Sequence, residues 1–450
     1  MDNKKFWKQL LPLMLPMAFQ NMMQSLVSAS DAVMMGFIDQ NSLSAVSLAA
    51  QIAFVVSLFT FGLTSAGSVL AAQYWGKGHR EEVEQVFAVM TRPLALVGGI
   101  FTVTALAVPQ LLMRIFTADA ELIGLGSVYL RSVSLSYFLM CINQSYLCIM
   151  RNSGKTIQAS IIGSSAVVIN IVLNAVLIFG LLGFPALGIV GAALATVITR
   201  ILELVWILVE TAKPGSIHLR TTYLFGKCSL KQDYWKQGWI LLGNNLVWGI
   251  GITMGSVILG RLGSDAVAAN SIASVMKNLI GSFCMGLASG GAIMVGNELG
   301  AGRLESGKKY GEKVVALSLI TGVASGGILI ALTPLIANLA ELTPQAEQYL
   351  RWMIVVCAWN LVGMSHNSAT ISGIFSAGGD TKFGFICDII TLWAVVVPVG
   401  FLAAFVLKWP VLLVYVFINM DEWVKFPAVR KHYRKYNWVR DLTRDRQETV

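Results

Sequence analysis

The sequence predicts an all-α membrane protein: twelve transmembrane helices in two pseudo-symmetric six-helix lobes related as a parallel repeat. Three observations predict it. Of 450 residues, 56% are apolar and only 13% charged, and the mean hydropathy is +0.68, whereas soluble domains are roughly a quarter charged. Apolar runs long enough for helices of about 20 residues recur twelve times along the chain. A block near the start recurs 224 positions later in the same order. A cytosolic enzyme, a disordered chain and a secreted disulfide scaffold are excluded.

The spans follow in order. The first, 9–36, comes after Lys4, Lys5 and Lys8, carries Pro16 and contains Asp31; 44–73 and 84–113 come next. Span 123–150 holds Asn143 and Gln144, span 157–182 holds Asn170 and Asn174, and span 186–210 holds Arg200 and Glu203. The longest polar break, 211–235, is basic (Lys213, Arg220, Lys227, Lys231) and separates six helices from six. The second set is 236–261, 267–297 with Lys277, 312–338, 345–377 with His366 and Asn367, 382–407 with Asp388, and 409–429 with Asp421 and Glu422. Membrane β-strands would be far shorter and would alternate. The expected division is an N-terminal lobe 1–210, a cytoplasmic linker 211–235, a C-terminal lobe 236–430 and a basic cytoplasmic tail 431–450.

Lys and Arg set the orientation. With the N-terminus inside, cytoplasmic segments hold 25 of the 33 basic residues, and outside segments hold five. Both termini are therefore expected in the cytoplasm, as an even number of spans requires. Much of the net charge of +9 lies in the tail after Lys425, where it faces an anionic leaflet rather than nucleic acid. The six cysteines form no CxxC pair and read as small buried thiols in apolar runs, Cys228 in the linker excepted. The first span is too long for a cleavable signal and contains an acid.

The repeat is specific. Sliding 36–82 by 224 positions without a gap gives 12 identities in 47, among them Gly36/Gly260, Gly62/Gly286, Gly67/Gly291, Gly76/Gly300 and Gly78/Gly302. Further on, Gly154-Lys155-Thr156 is matched by Gly379-Asp380-Thr381. Two parallel six-helix lobes around a cavity are an alternating-access architecture.

Soluble-site chemistry is not legible. Gly154-Lys155-Thr156 lacks the upstream glycine of a phosphate loop, since position 149 is isoleucine. The four histidines show no ligand spacing, and no nucleophile–base pair stands out. No cofactor or metal is expected. The information lies in the intramembrane ionisable residues, each costing roughly 2.5–3.5 kcal/mol at mid-helix and so functional by default. Asp31 follows Pro16, which permits a kink and serves as a candidate hinge. Burial raises a carboxyl's pKa, so Asp31 is the candidate proton carrier. Asn170 and Asn174 share one helix face and complete a candidate cation-coupling set. Asn143 and Gln144 add polar groups to that lobe. In the second lobe Lys277 and Asp388 are expected to neutralise each other, with His366 and Asn367 as further cavity candidates. Arg200 and Glu203 read as a local pair, Asp421 and Glu422 as near-interface residues.

Together these residues resemble the multidrug and toxic-compound extrusion (MATE) family over roughly 6–430. The family's first span carries a proline, then Asp, a short apolar stretch and Gly: here Pro16, Asp31 and Gly36. Its loop after span 2 is similar to Gln73-Tyr-Trp-Gly76-Lys-Gly78, and its Gly-Asp-Thr turn to Gly379-Asp380-Thr381. The resemblance implies a multi-pass transporter of the bacterial inner membrane, not an enzyme, acting as a monomer. Its partners would be lipids and small amphipathic, cationic compounds exported in exchange for H+ or Na+. Where relatives often carry an acid four residues after the span-5 Asn, this chain has Asn174, and span 7 has no acid between 236 and 261. That favours proton coupling through Asp31, as in the DinF-like branch. The rival readings are a sodium-coupled exporter, a lipid-linked oligosaccharide flippase of the same superfamily, and a membrane enzyme or receptor.

Overall fold

The computed structural model describes residues 3–36, 39–339 and 342–443, without the side chains at 28–29, 31–33, 35–36 and 338–339. The predicted coupling side chain, Asp31, therefore lies outside the described residues. Among the described residues the chain is helical with no strand, and short helices at Pro109–Arg114 and Thr221–Phe225 lie between the longer ones, which form twelve successive segments. They are α1 (Asn3–Gly36), α2 (Gln40–Lys77), α3 (Arg80–Ala107), α4 (Ala120–Val133 and Leu135–Asn152), α5 (Thr156–Phe179) and α6 (Gly188–Thr211). The second set is α7 (Lys231–Gly260), α8 (Ser264–Gly300), α9 (Leu304–Leu339), α10 (Pro344–Asn367), α11 (starting at Thr381–Asp388) and α12 (Val411–Ile418 and Asp421–Tyr433). By length and hydropathy alone eight of these cross a bilayer, or nine with α4, whose two parts meet at 45°.

Local chemistry sets the ends. Asp39 precedes α2 and accepts the Ser42 amide at 2.7 Å. Asp119 caps α4 by accepting from the amides of Glu121 and Leu122, and Thr343 caps α10 by accepting from Ala346, with Pro344 in the first turn. The turns after α2, α4, α8 and α10 need a left-handed residue, and Gly78, Gly154, Gly302 and Gly379 supply it with φ of 82°, 82°, 74° and 73°. These are repeat-matched positions, so the two halves turn on the same residues.

Several helices depart from uniform α geometry. α1 runs on through Pro12 and Pro16 without a break. α10 passes into a π-helix over Ser368–Phe375. α11 does so over Ile389–Val396 and again over Leu402–Val406. α12 is interrupted at Asn419 and Met420, where the sequence predicted one continuous span.

Contacts divide the chain into two compact units: Met1–Met22, Ala72–Gly78 and Trp239–Val450 form one, and Met23–Ala71 with His79–Gly238 the other. These are not quite the sequence halves, because the start of α1 and the end of α2 fold with the second half. Small residues explain it. Ala18 and Met14 of α1 seat on Gly286 and Gly290 of α8, where a side chain would come within 2.6 and 2.9 Å of them. At the end of α2, Gly76 lies on the carbonyl of Asn297 while Gly300 lies on the carbonyl of Gln73, each leaving only 2.0 Å for a Cβ. The two contacts are reciprocal under the 224-residue shift of the repeat. In a bilayer, where hydrocarbon is no driving force, such backbone approach is what joins helices.

This unit's core gathers Phe6, Leu10, Leu287, Leu299, Tyr310, Val314, Phe375 and Val429. The other unit's core includes Leu147, Met150, Ala159, Ile162 and Ile207. Five cysteines are buried as expected, and Cys228 is half-buried.

The tail was expected to be a basic juxtamembrane segment facing an anionic leaflet; its first part packs against the protein. Trp438 is fully buried against Gly311 and Gly378. Gln73 donates to the carbonyls of Ala377 (2.6 Å) and Arg440 (3.2 Å) and accepts from the amide of Leu442 at 2.6 Å. Trp438→Ala should cost about 3–5 kcal/mol, as deletion of a buried aromatic does, and Trp438→Phe much less; thermal denaturation of the detergent-solubilised protein measures both.

Candidate functional site

Charged side chains buried inside the membrane need partners, and among the described residues each unit contains such a cluster. In the first-half unit, α4 and α6 meet at Asn143, whose amide donates to Glu203 Oε2 at 2.8 Å and to the Arg200 carbonyl at 3.0 Å. Arg200 Nη1 reaches the same carboxylate oxygen at 2.8 Å. Glu203 is buried. Arg200 and Glu203 thus pair locally as expected, with Asn143 bonded to the same carboxylate and Arg151 also acting on it. Gln144 is half-buried on the neighbouring face. On α5, Asn170 and Asn174 are both buried, and Asn174 Nδ2 donates to Asn170 Oδ1 at 3.3 Å; their shared face is as predicted.

The second-half unit carries a richer cluster where α10, α11 and α12 meet. Lys425 Nζ lies 3.0 Å from Asp388 Oδ1 and 3.2 Å from Glu422 Oε1. Asn367 Nδ2 donates to Glu422 Oε2 at 2.8 Å and to the Glu422 carbonyl at 2.6 Å. All four residues are buried, none more than 7% exposed. Beside them Asn360 Nδ2 donates to the Asn419 carbonyl at 2.8 Å, satisfying backbone freed by the break in α12. His366 is buried with neither ring nitrogen hydrogen-bonded, its ring 4.6 Å from that of Phe426.

Two expectations are corrected here. Asp388 does not pair with Lys277: its carboxylate takes Lys425, because α11 packs against α10 and α12 while α8 packs against α9 and α10. Lys277 is half-buried and makes no ion pair among the described residues. Glu422, expected near the interface, is a buried member of the cluster, and Lys425, to which the sequence assigned no role within the last span, is its centre. The i, i+3 spacing of Glu422 and Lys425 was the available signal.

The profile of the MatE family matches residues 16–176 and again 240–402. The chain belongs to this family. The two matches begin 224 residues apart, the shift already seen in the sequence. A probable multidrug resistance protein NorM of Thermotoga maritima is 24% identical over 398 residues, covering 88% of this chain and 85% of the relative. Among solved structures, a MOP superfamily transporter from Pyrococcus furiosus superposes with a TM-score of 0.86 at 19% identity, covering 96% of both chains. A MATE protein in complex with MaD3S gives 0.84 at 20% identity, again covering 96% of both. These likenesses fix the fold: an all-α, multi-pass membrane protein with twelve spans in two lobes. As a MATE family member the chain is a transporter, not an enzyme.

Removing Lys425 strands two carboxylates in a low-dielectric interior. Lys425→Met should therefore destabilise the transporter by about 3–5 kcal/mol, while Lys277→Met should stay within about 0.5–1 kcal/mol. Thermal melts of the two purified variants compare them directly; the reverse order would restore the Lys277–Asp388 pairing.

Proposed function

We propose that this MATE transporter is a secondary active exporter of small amphipathic organic compounds, chiefly cations. Inward movement of protons at Asp31 drives it by alternating access. The double MatE match carries the reading: two homologous halves are the construction that alternating access uses. The relative named as a multidrug resistance protein supports the substrate class.

The coupling chemistry is simple. A carboxyl on α1 takes a proton from the outside, loses its charge and favours one arrangement of the halves; deprotonation on the inside favours the other. Asn170 and Asn174 are buried one turn apart and supply amides that can bond a carboxyl group in either protonation state. Pro16 lacks the amide hydrogen that would bond the carbonyl of Pro12, which makes this stretch of α1 the softest place for it to bend. The membrane potential contributes about 2.3 kcal/mol per charge per 100 mV. The reading includes both termini in the cytoplasm, supported by the Lys and Arg distribution, a bacterial plasma membrane, and function as a monomer without a cofactor. Asn174, in place of an acid, favours the proton over sodium at this site.

Proteoliposomes loaded with a fluorescent organic cation test it. An imposed pH gradient should drive efflux and a sodium gradient should not. Asp31→Asn should insert normally and reduce pH-driven efflux to the passive leak. Efflux following sodium alone, or undiminished in the variant, would remove the proton reading.

A further inference from the structure

We propose that Asp388, Glu422 and Lys425, with Asn367, form a second proton-binding site that takes up and releases one proton in each transport cycle. The inference deepens the proton-driven reading above and rests on it.

The first-half cluster shows what a purely structural clamp requires. There one acid, Glu203, meets Arg200 and the amide of Asn143, with the guanidinium of Arg151 also acting on it. The second half repeats the amide and the base at equivalent places, with its acid three residues before the base instead of three after it. Asn367 lies 224 positions after Asn143, and Lys425 lies 225 after Arg200, the shift that relates the Gly154 and Gly379 turns. Asn367 bonds Glu422 as Asn143 bonds Glu203. The addition is Asp388, whose counterpart 225 residues earlier is Gly163.

That addition changes the charge. With every group ionised, the buried set carries two negative charges and one positive. A net charge in a site this dry is unfavourable, and one bound proton cancels it. A carboxyl that gains the proton loses its claim on Lys425, which then belongs to the other acid. Protonation therefore moves the ammonium between Asp388 on α11 and Glu422 on α12.

The surroundings are built for such movement. Asn367 Oδ1 is buried and has no hydrogen-bond partner, while its Nδ2 holds Glu422 Oε2. A protonated Glu422 would give that oxygen a donor within reach. Asn367 is the last α-helical residue of α10 and Asp388 the last of the first α segment of α11; a π-helix starts at the next residue in both. π-Helical segments gather at functional sites. Glu422 lies in the first turn after the break in α12, and broken helices at membrane depth occur where ions and substrates bind. Among the described residues, Asp421 on α12 and Cys387 on α11 also act on the cluster, and His366 on α10 lies beside Asn367 with the exposed Arg430 of α12 acting on it. Asp380 is held apart by His432 at 2.7 Å.

Infrared difference spectroscopy on the purified full-length protein in lipid nanodiscs, with pH steps, is the test. Beyond the band that Asp31→Asn removes, the wild type should show the carbonyl stretch of one further buried carboxylic acid appearing and vanishing with pH. Asp388→Asn and Glu422→Gln should each abolish it, while Glu203→Gln should leave it in place. Both variants keep side-chain volume and leave Lys425 one acid partner, so both should fold; gel filtration checks this. In proteoliposomes each should retain pH-driven efflux with about half the wild-type dependence of substrate accumulation on the pH gradient. Absence of the band in the wild type, its persistence in both variants, or an unchanged gradient dependence would overturn the proposal. A band that behaves as expected in a protein driven by sodium alone would instead refute proton-driven export and leave the titrating site standing.

Discussion

One buried ammonium organises the second half of this transporter. Lys425 cannot be left alone in hydrocarbon, and the two carboxylates that neutralise it come from different places: Glu422 one turn away on its own helix and Asp388 on α11. Asn367 reaches in from α10 to hold Glu422. Three helices are thus tied at a point where each departs from regular α geometry. α10 and α11 turn π-helical at the residues that make the contact, and α12 breaks just before Glu422. Helix distortion and charge burial have the same cause, since freed backbone and ionised side chains both need partners that lipid does not supply.

A second constraint acts where there is no charge. Helices in a bilayer gain little from apolar contact alone, so they meet where side chains are small. Gly286 and Gly290 let α1 lie against α8, and the reciprocal pair Gly76 and Gly300 brings the ends of α2 and α8 into backbone contact. In consequence α1, α2 and α7 each pass from one compact unit to the other, at Met22–Met23, Ala71–Ala72 and Gly238–Trp239. Gln73 is bonded to the turn after α10 and to the segment beyond α12, so the end of α2 is held by polar contacts as well as by packing.

The two halves have kept their parts and diverged in charge. Asn143 with Glu203 and Asn367 with Glu422 are like contacts on equivalent helices, but the acid follows its base in the first half and precedes it in the second, and Asp388 is an acid that the first half lacks.

The sequence by itself determined the twelve spans, the repeat and its 224-residue shift, the family, the buried cysteines and the glycine turns. Hydropathy, close packing and left-handed φ are properties of single residues and of spacing. It also marked Asn143, Asn367 and Asp388 as intramembrane polar groups, and paired Arg200 with Glu203 because both lie on one helix. Only the tertiary structure decided which charge meets which across helices. Asp388 chose Lys425 over Lys277 because α11 lies against α12, a neighbour relation that no periodicity encodes. The burial of Trp438 and of Glu422, the π-helical segments and the break in α12 were hidden for the same reason: each is imposed by partners remote in the chain.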